Sequence, residues 1–441
     1  MIILTNVLSF IFALGVIIVV HEAGHLMVAK AFGIRVMTFS VGFGRSLLSW
    51  RRGETEYRIS AVPLGGYVRL GGENPEESTG DPREFMSRPR WQRVLVYLAG
   101  PAMNVVLAVA IFAGLFMIGI EVPDLPDMPP IIGDVAPGSS AAAAHLEPGD
   151  LVVKVNGEPA ASWSELSMAL LTSPDKPVRL EVKRGNKIFP AVVTPRRVPR
   201  YDTGDLAGLF PPGRPQVIAV EPGSPAAAAG FRPGDDIRAV DGVPVADNHD
   251  FVKAISQRAG QRLQVEIVRQ GKPLVLSVVP RLDGKTARIG VSVVNRQPLQ
   301  RYPPGRALAA SISYNIQIVR QTFQILGKIF RREMSPRGAL AGPLEIATQA
   351  GEAARTGFKY LVHVMGFLSI SIALLNLMPI PILDGGQIFI LLVEGVIRRD
   401  LSLRVKEVIS QVGFVLILML MVVVFWFDVT RHLPPGFLPG S

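Results

Sequence analysis

Apolar residues are concentrated in four runs, at about 6–31, 94–120, 360–378 and 408–427. Each is long enough to cross a bilayer as a helix, which needs about 20 apolar residues. The first run is not read as a cleaved leader. No basic segment precedes it, and His21, Glu22 and His25 stand where a small-residue cleavage site belongs. Between the second and third runs the pattern changes to short alternating segments separated by Pro-Gly and Asx-Gly turns. Ile237 to Val240 and Val265 to Val268 are the clearest strands among them. Further on, Ile312, Ile316, Val319, Phe323, Leu326 and Phe330 alternate spacings of four and three, which predicts one apolar helix stripe. That helix packs on the repeat region or lies on the membrane surface, and the nearby third span favours the second.

The alternating region is a tandem duplication. Pro137-Gly138-Ser139 recurs as Pro222-Gly223-Ser224, Pro148-Gly149-Asp150 as Pro233-Gly234-Asp235, and Asn156-Gly157 as Asp241-Gly242. Each pair is 85 residues apart.

Composition fits a membrane protein. The 441 residues are 49% hydrophobic and 19% charged, and the mean hydropathy is +0.33. This excludes a mainly disordered chain, and the absence of Cys excludes a disulfide scaffold. The net charge of +10 is mostly a topology signal. The loop from Lys30 to Arg93 holds eleven Lys and Arg, whereas 121–153 holds none. Basic residues follow the third span again at Arg398, Arg399, Arg404 and Lys406. Basic loops stay cytoplasmic, so four spans place both termini and the repeats outside. No motif supports nucleic-acid binding.

Ionisable residues inside a span are costly and are functional candidates by default. His21-Glu22-Ala23-Gly24-His25 places two imidazoles one turn apart on one helix face, the His-Glu-x-x-His pattern that suits one zinc ion. Glu22 can take a proton from a water activated by the ion. A catalytic zinc usually has a third protein ligand, and Asp384 is the candidate. It lies in Asn376-Leu-Met-Pro379-Ile-Pro381-Ile-Leu-Asp384-Gly385-Gly386, where prolines and glycines break the third span. Broken backbone at that depth must be buried in protein or line a wet cavity. The competing role for Asp384 is to cap the helix that follows.

These motifs, with Gly100-Pro101-Ala102-Met103-Asn104 and Leu340-Ala341-Gly342-Pro343, resemble those of the site-2 proteases, which are intramembrane zinc metalloproteases. The repeats resemble circularly permuted PDZ domains. The resemblance covers nearly the whole chain. It implies a polytopic α-helical membrane protein with four transmembrane helices, a reentrant β-hairpin and two periplasmic β-rich PDZ domains. The expected division is 1–120, the first two spans with the hairpin; 121–198 and 199–296, the PDZ domains; 297–357, a periplasmic amphipathic segment; and 358–441, the last two spans. One zinc per chain would be held by His21, His25 and Asp384, with Glu22 as base.

Val41-Gly42-Phe43-Gly44 and the segments flanking Arg51-Arg52-Gly53 fit the hairpin, so Gly42, Phe43 and Gly44 are candidate substrate-binding residues. A substrate helix must unwind before its carbonyl can be attacked, and a strand edge supplies new backbone partners. Asn376 is a candidate for holding the extended segment, against the alternative of an interhelical hydrogen bond. Asn104 is read as mainly structural. Leu206-Ala207-Gly208-Leu209 precedes the second copy, where a PDZ carboxylate loop is expected. The PDZ domains either capture peptide termini or act as spacers that exclude bulky substrates.

Expected partners are membrane lipid and single-span membrane proteins. By the resemblance, these are an anti-sigma factor trimmed beforehand, or leftover signal peptides. The rival function is a non-enzymatic PDZ adaptor in the membrane, which would need neither the base nor the metal ligands.

Overall fold

In a computed structural model, residues 2–74, 79–119, 128–199, 201–245, 247–269, 271–283, 286–296 and 301–432 are described. The chain forms two compact units. One comprises 1–119, 301–326 and 339–441, and the other 120–300 and 327–338.

The first unit begins with α1 (Ile2–Ala31), β1 (Val36–Arg52), β2 (Thr55–Leu70) and α2 (Arg90–Ile118). Ala13, Ile17, His21 and Gly24 are buried on α1 at helical spacing, so the histidine pair lies on the packed face. Close packing against α2 depends on glycine. A Cβ at Gly24 would strike the Ala99 carbonyl and come within 2.8 Å of Met103 Cγ. Small residues at such contacts let helix backbones approach in a membrane.

The two strands are each used as two halves. Val36 to Val41 pairs with Leu70 to Gly66, and Thr38 to Val41 also faces Glu56 to Ile59. Ser46 to Arg52 pairs with Ser60 to Thr55. The runs Gly66–Leu70 and Ser46–Arg52 therefore form the sheet edges. The turn expected at Arg51-Arg52-Gly53 falls at Gly53 and Glu54.

The second unit contains the two repeats. The first has β3 (Asp134–Val135), α3 (Ser140–Ala143), β4 (Leu151–Val155), β5 (Glu158–Pro159), α4 (Trp163–Leu171), β6 (Val178–Arg184) and β7 (Lys187–Val193). It closes with β8 (Arg197–Val198), β9 (Thr203–Gly204) and β10 (Leu209–Phe210), and β10 pairs back onto β3. The second runs β11 (Arg214–Val220), α5 (Pro225–Ala229), β12 (Asp236–Val240), β13 (Val243–Pro244), α6 (Asn248–Ser256), β14 (Leu263–Arg269) and β15 (Lys272–Val278). It closes with β16 (Arg281–Asp283), β17 (Thr286–Arg288) and β18 (Val291–Arg296), and β18 pairs onto β11.

The duplication extends to side chains. Ser139 and Ser224 cap α3 and α5 in the same way. Buried Asp150 and Asp235 each accept from an arginine Nε at 2.7 Å, from Arg184 and Arg269 respectively. These arginines preserve the 85-residue offset.

Leu206 to Leu209 require a correction. They do not lead into the second copy. Ala207 and Leu209 lie in the core of the first repeat, and the Ala141 N–H donates to Ala207 O at 3.1 Å. The second copy has its own equivalent, where the Ala226 N–H donates to Ile289 O at 2.8 Å. The division between repeats therefore falls after Phe210, not at 198. The last strand of a permuted domain follows its body in sequence but pairs with its first strand, so sequence order assigned it to the wrong copy.

The chain then returns to the first unit through α7 (Pro304–Phe330), followed by α8 (Pro336–Ala339), α9 (Pro343–Thr356), α10 (Phe358–Asn376), α11 (Asp384–Ile397) and α12 (Leu403–His432). Among the described residues four helices, α1, α2, α10 and α12, are long and apolar enough to span a membrane. The predicted stripe of α7 faces outward. Ile316, Phe323 and Phe330 are exposed, whereas Ala307, Ser311, Asn315 and Ile318 are buried. Ser311 Oγ donates to Val109 O of α2 at 2.7 Å. At the other end, Asp428 of α12 accepts from the Gly342, Leu344 and Glu345 amides and so caps α9.

Candidate metal centre and active site

Three side chains converge between α1 and α11. His21 Nε2 lies 3.1 Å from Asp384 Oδ2, and His25 Nε2 lies 3.6 Å from Asp384 Oδ1. The two Nε2 atoms are 3.2 Å apart. Among the described residues this is the one cluster of three potential metal ligands. Donors bonded at ~2.0–2.1 Å to a tetrahedral ion sit about 3.3 Å from one another, and these spacings match.

The outer atoms of the rings support the same assignment. His25 Nδ1 donates to Val96 O at 2.8 Å, which reserves Nε2 for an ion. The Asn104 amide lies 3.2 Å from His21 Nδ1 and is fully buried. Nδ2 faces the ring, which leaves Asn104 Oδ1 buried without a hydrogen-bond partner. A half-turn of the amide brings Oδ1 to Nδ1, where it accepts the proton that a ligating Nε2 keeps there. Asn104, read from sequence as mainly structural, is therefore placed to orient the His21 ring. Its matching motif was the available signal. Gly100 provides the space: a Cβ there would lie 2.6 Å from His21 Nε2 and closer still to His25 Nε2.

Asp384 reaches the cluster because the chain breaks after α10. Pro379 and Pro381 cannot continue a helical ladder. The break is held by the Leu383 N–H to Ile380 O at 2.9 Å and by Gln387 Nε2 to Pro381 O at 2.6 Å. The next helix starts at Asp384 itself, with Leu383 as its N-cap. The carboxylate thus points to the histidines while its backbone begins α11.

The Glu22 carboxylate lies close to the Val68 backbone. A Cβ at Gly66 would come 3.1 Å from Glu22 Cγ. The sheet edge Gly66–Leu70 therefore lies beside the candidate base, a placement the sequence reading missed. Gly42 and Gly44 have φ of +90° and +84° and bracket an irregularity in β1. Phe43 is half-exposed between them and stacks on Tyr67, with ring centroids 6.2 Å apart. These three residues shape the sheet; it is Gly66, not Gly42 or Gly44, whose added Cβ would meet Glu22. Asn376 ends α10, and among the described residues its amide makes no hydrogen bond, so the interhelical bond is not found.

A model of peptidase family M50 matches residues 9–420. The chain belongs to peptidase family M50. It is similar to the regulator of sigma-E protease RseP of Escherichia coli, with 31% identity over 97% of this chain and 99% of that protein. The RseP of Salmonella typhimurium is 32% identical over the same shares. A Neisseria meningitidis protein whose name carries the words zinc metalloprotease is 31% identical, again over 97% and 99%. Among solved structures, the PDZ domain of an SdrC-like protein from Listeria monocytogenes aligns with 19% of this chain and 92% of its own. Its identity is 23% and its TM-score 0.18. As a member of family M50 the protein is a zinc-dependent protease, and His21, His25 and Asp384 are the donor set that fits the ion.

Proposed function

We propose that the protein is an intramembrane endopeptidase of the bacterial inner membrane that cleaves single-span membrane proteins. The observation that carries this reading is the convergence of His21, His25 and Asp384 beside Glu22, with the two histidines and Glu22 on a helix apolar enough to span the bilayer. One zinc per chain supplies Lewis-acid polarisation of a carbonyl and lowers the pKa of water. Glu22 takes the proton of the attacking water and delivers it to the leaving nitrogen. The Gly66–Leu70 edge pairs with the unwound substrate backbone, and Asn376 holds the same segment through its free amide. Asn104 and the Val96 carbonyl fix the imidazole rings.

Both termini and the repeats lie in the periplasm, in accord with the Lys and Arg distribution. The repeats are PDZ domains. A groove of about 610 Å³ beside Phe251, Ile289 and Gly290 supports peptide capture by the second copy. Leu206 to Leu209 serve the first copy in the equivalent place. Similarity to proteins named as regulators of sigma-E supports an anti-sigma factor as physiological substrate, with leftover signal peptides as a second class.

The test is cleavage of a tagged single-span substrate by the purified protein in detergent. Wild type, Glu22→Gln and chelator-treated wild type are run side by side. Cleavage by wild type alone is expected. Equal cleavage in all three would sink the mechanism.

A further inference from the structure

Asp384 borders a cavity of about 720 Å³ whose lining includes Glu73, Arg93, Gln387, Lys406 and Glu407. Lys406 is already engaged, since its Nζ lies 2.7 Å from the buried carboxylate of Glu394. Arg93 is different. It is 94% buried, being 6% exposed, and no carboxylate lies within ion-pair distance of it among the described residues. Its Nη1 meets only the Met86 sulfur at 3.5 Å, and its Nε has no partner. Asp400 is near enough to feel its charge but makes no ion pair with it, and a buried guanidinium without a bonded partner is costly. Peptide hydrolysis at the neighbouring metal ligands creates such a partner, because the N-side product ends in a new carboxylate.

We infer that Arg93 is a carboxylate-binding residue of the proteolytic site, holding the cleaved terminus, or an acidic side chain beside the cleavage point, within this cavity. The planar guanidinium fork suits a carboxylate bidentately. Other carboxylates share the space, but Asp384 is committed to the metal cluster. Burial pushes the Glu73 carboxyl up from its ordinary value. The inference rests on the proposed protease function, so its test reads binding rather than turnover.

The experiment uses full-length protein in detergent, stripped of metal so that zinc cannot hold the anion. Three fluorescent peptides of one apolar sequence are titrated by anisotropy: a C-terminal acid, its C-terminal amide, and an amide carrying one Glu near the end. The expected result is at least fivefold tighter binding of the acid than of the plain amide by wild type. Arg93→Gln loses that preference, and Arg93→Lys keeps part of it. Tighter binding of the Glu peptide alone, also lost in Arg93→Gln, assigns the site to a substrate side chain. If the amide binds as well as both anionic peptides, if no peptide binds, or if the preference survives in Arg93→Gln, the inference is overturned. Should Arg93→Gln fail to fold, an undiminished preference in Arg93→Lys overturns it instead. Cleavage by untreated wild type, measured separately, decides the protease reading independently.

Discussion

Asn104 offers the sharpest check on the metal centre. Its amide is the only side-chain contact to His21 Nδ1 among the described residues, at 3.2 Å and with no exposure. Asn104→Leu keeps the approximate volume but removes the acceptor. Loss of such an outer partner typically costs 10–100-fold in metal affinity, or about 1.4–2.7 kcal/mol. Asn104→Asp keeps an acceptor in the same place and strengthens it. The main-chain bond from Ser369 Oγ to Asn104 O, 2.8 Å long, survives either change, so helix packing is largely spared. The assay is competition for zinc between a chromophoric chelator and the purified protein, with thermal unfolding as the folding control. Zinc affinity should fall about 10–100-fold in Asn104→Leu and stay within about threefold of wild type in Asn104→Asp. A folded Asn104→Leu protein with wild-type affinity, or an Asn104→Asp protein weaker than Asn104→Leu, would refute the ring-orienting role.

Gly100→Ala should abolish zinc binding and cleavage while leaving the helices formed, because its methyl would occupy space needed by both imidazoles; metal analysis and circular dichroism check this together. Chelation should lower the unfolding temperature and zinc should restore it. A ligand 1,000-fold above its dissociation constant adds about 4 kcal/mol, and a His21→Ala/His25→Ala protein should show no such response. In the second repeat, Arg269→Met strands Asp235, which is 0% exposed. Breaking a buried pair costs about 3–5 kcal/mol, so hydrogen exchange in the full chain should accelerate across β12 and β14 and remain unchanged in the first repeat.

Features written at short range are legible in the chain alone. Four apolar runs require four long helices. The i and i+4 spacing requires that His21 and His25 share a face. The 85-residue offset requires two like-folded copies. These depend on helix and strand periods and on turn chemistry, which a single strand of text carries. The stripe on α7 was also legible as a helix, but not its direction. Small and polar residues, Ala307, Ser311 and Asn315, turned inward because they let α7 approach α2 and bond to its backbone. Only tertiary structure decided that Asp384 meets the histidines, that Asn104 bonds to one of them, and that Gly66–Leu70 rather than Gly42–Gly44 lies against Glu22. It also decided that Leu206 to Leu209 belong to the first repeat. Each of these depends on the close approach of segments far apart in the chain, set by Gly24, Gly100 and the proline break. Such contacts have no period, so no local pattern in the sequence records them.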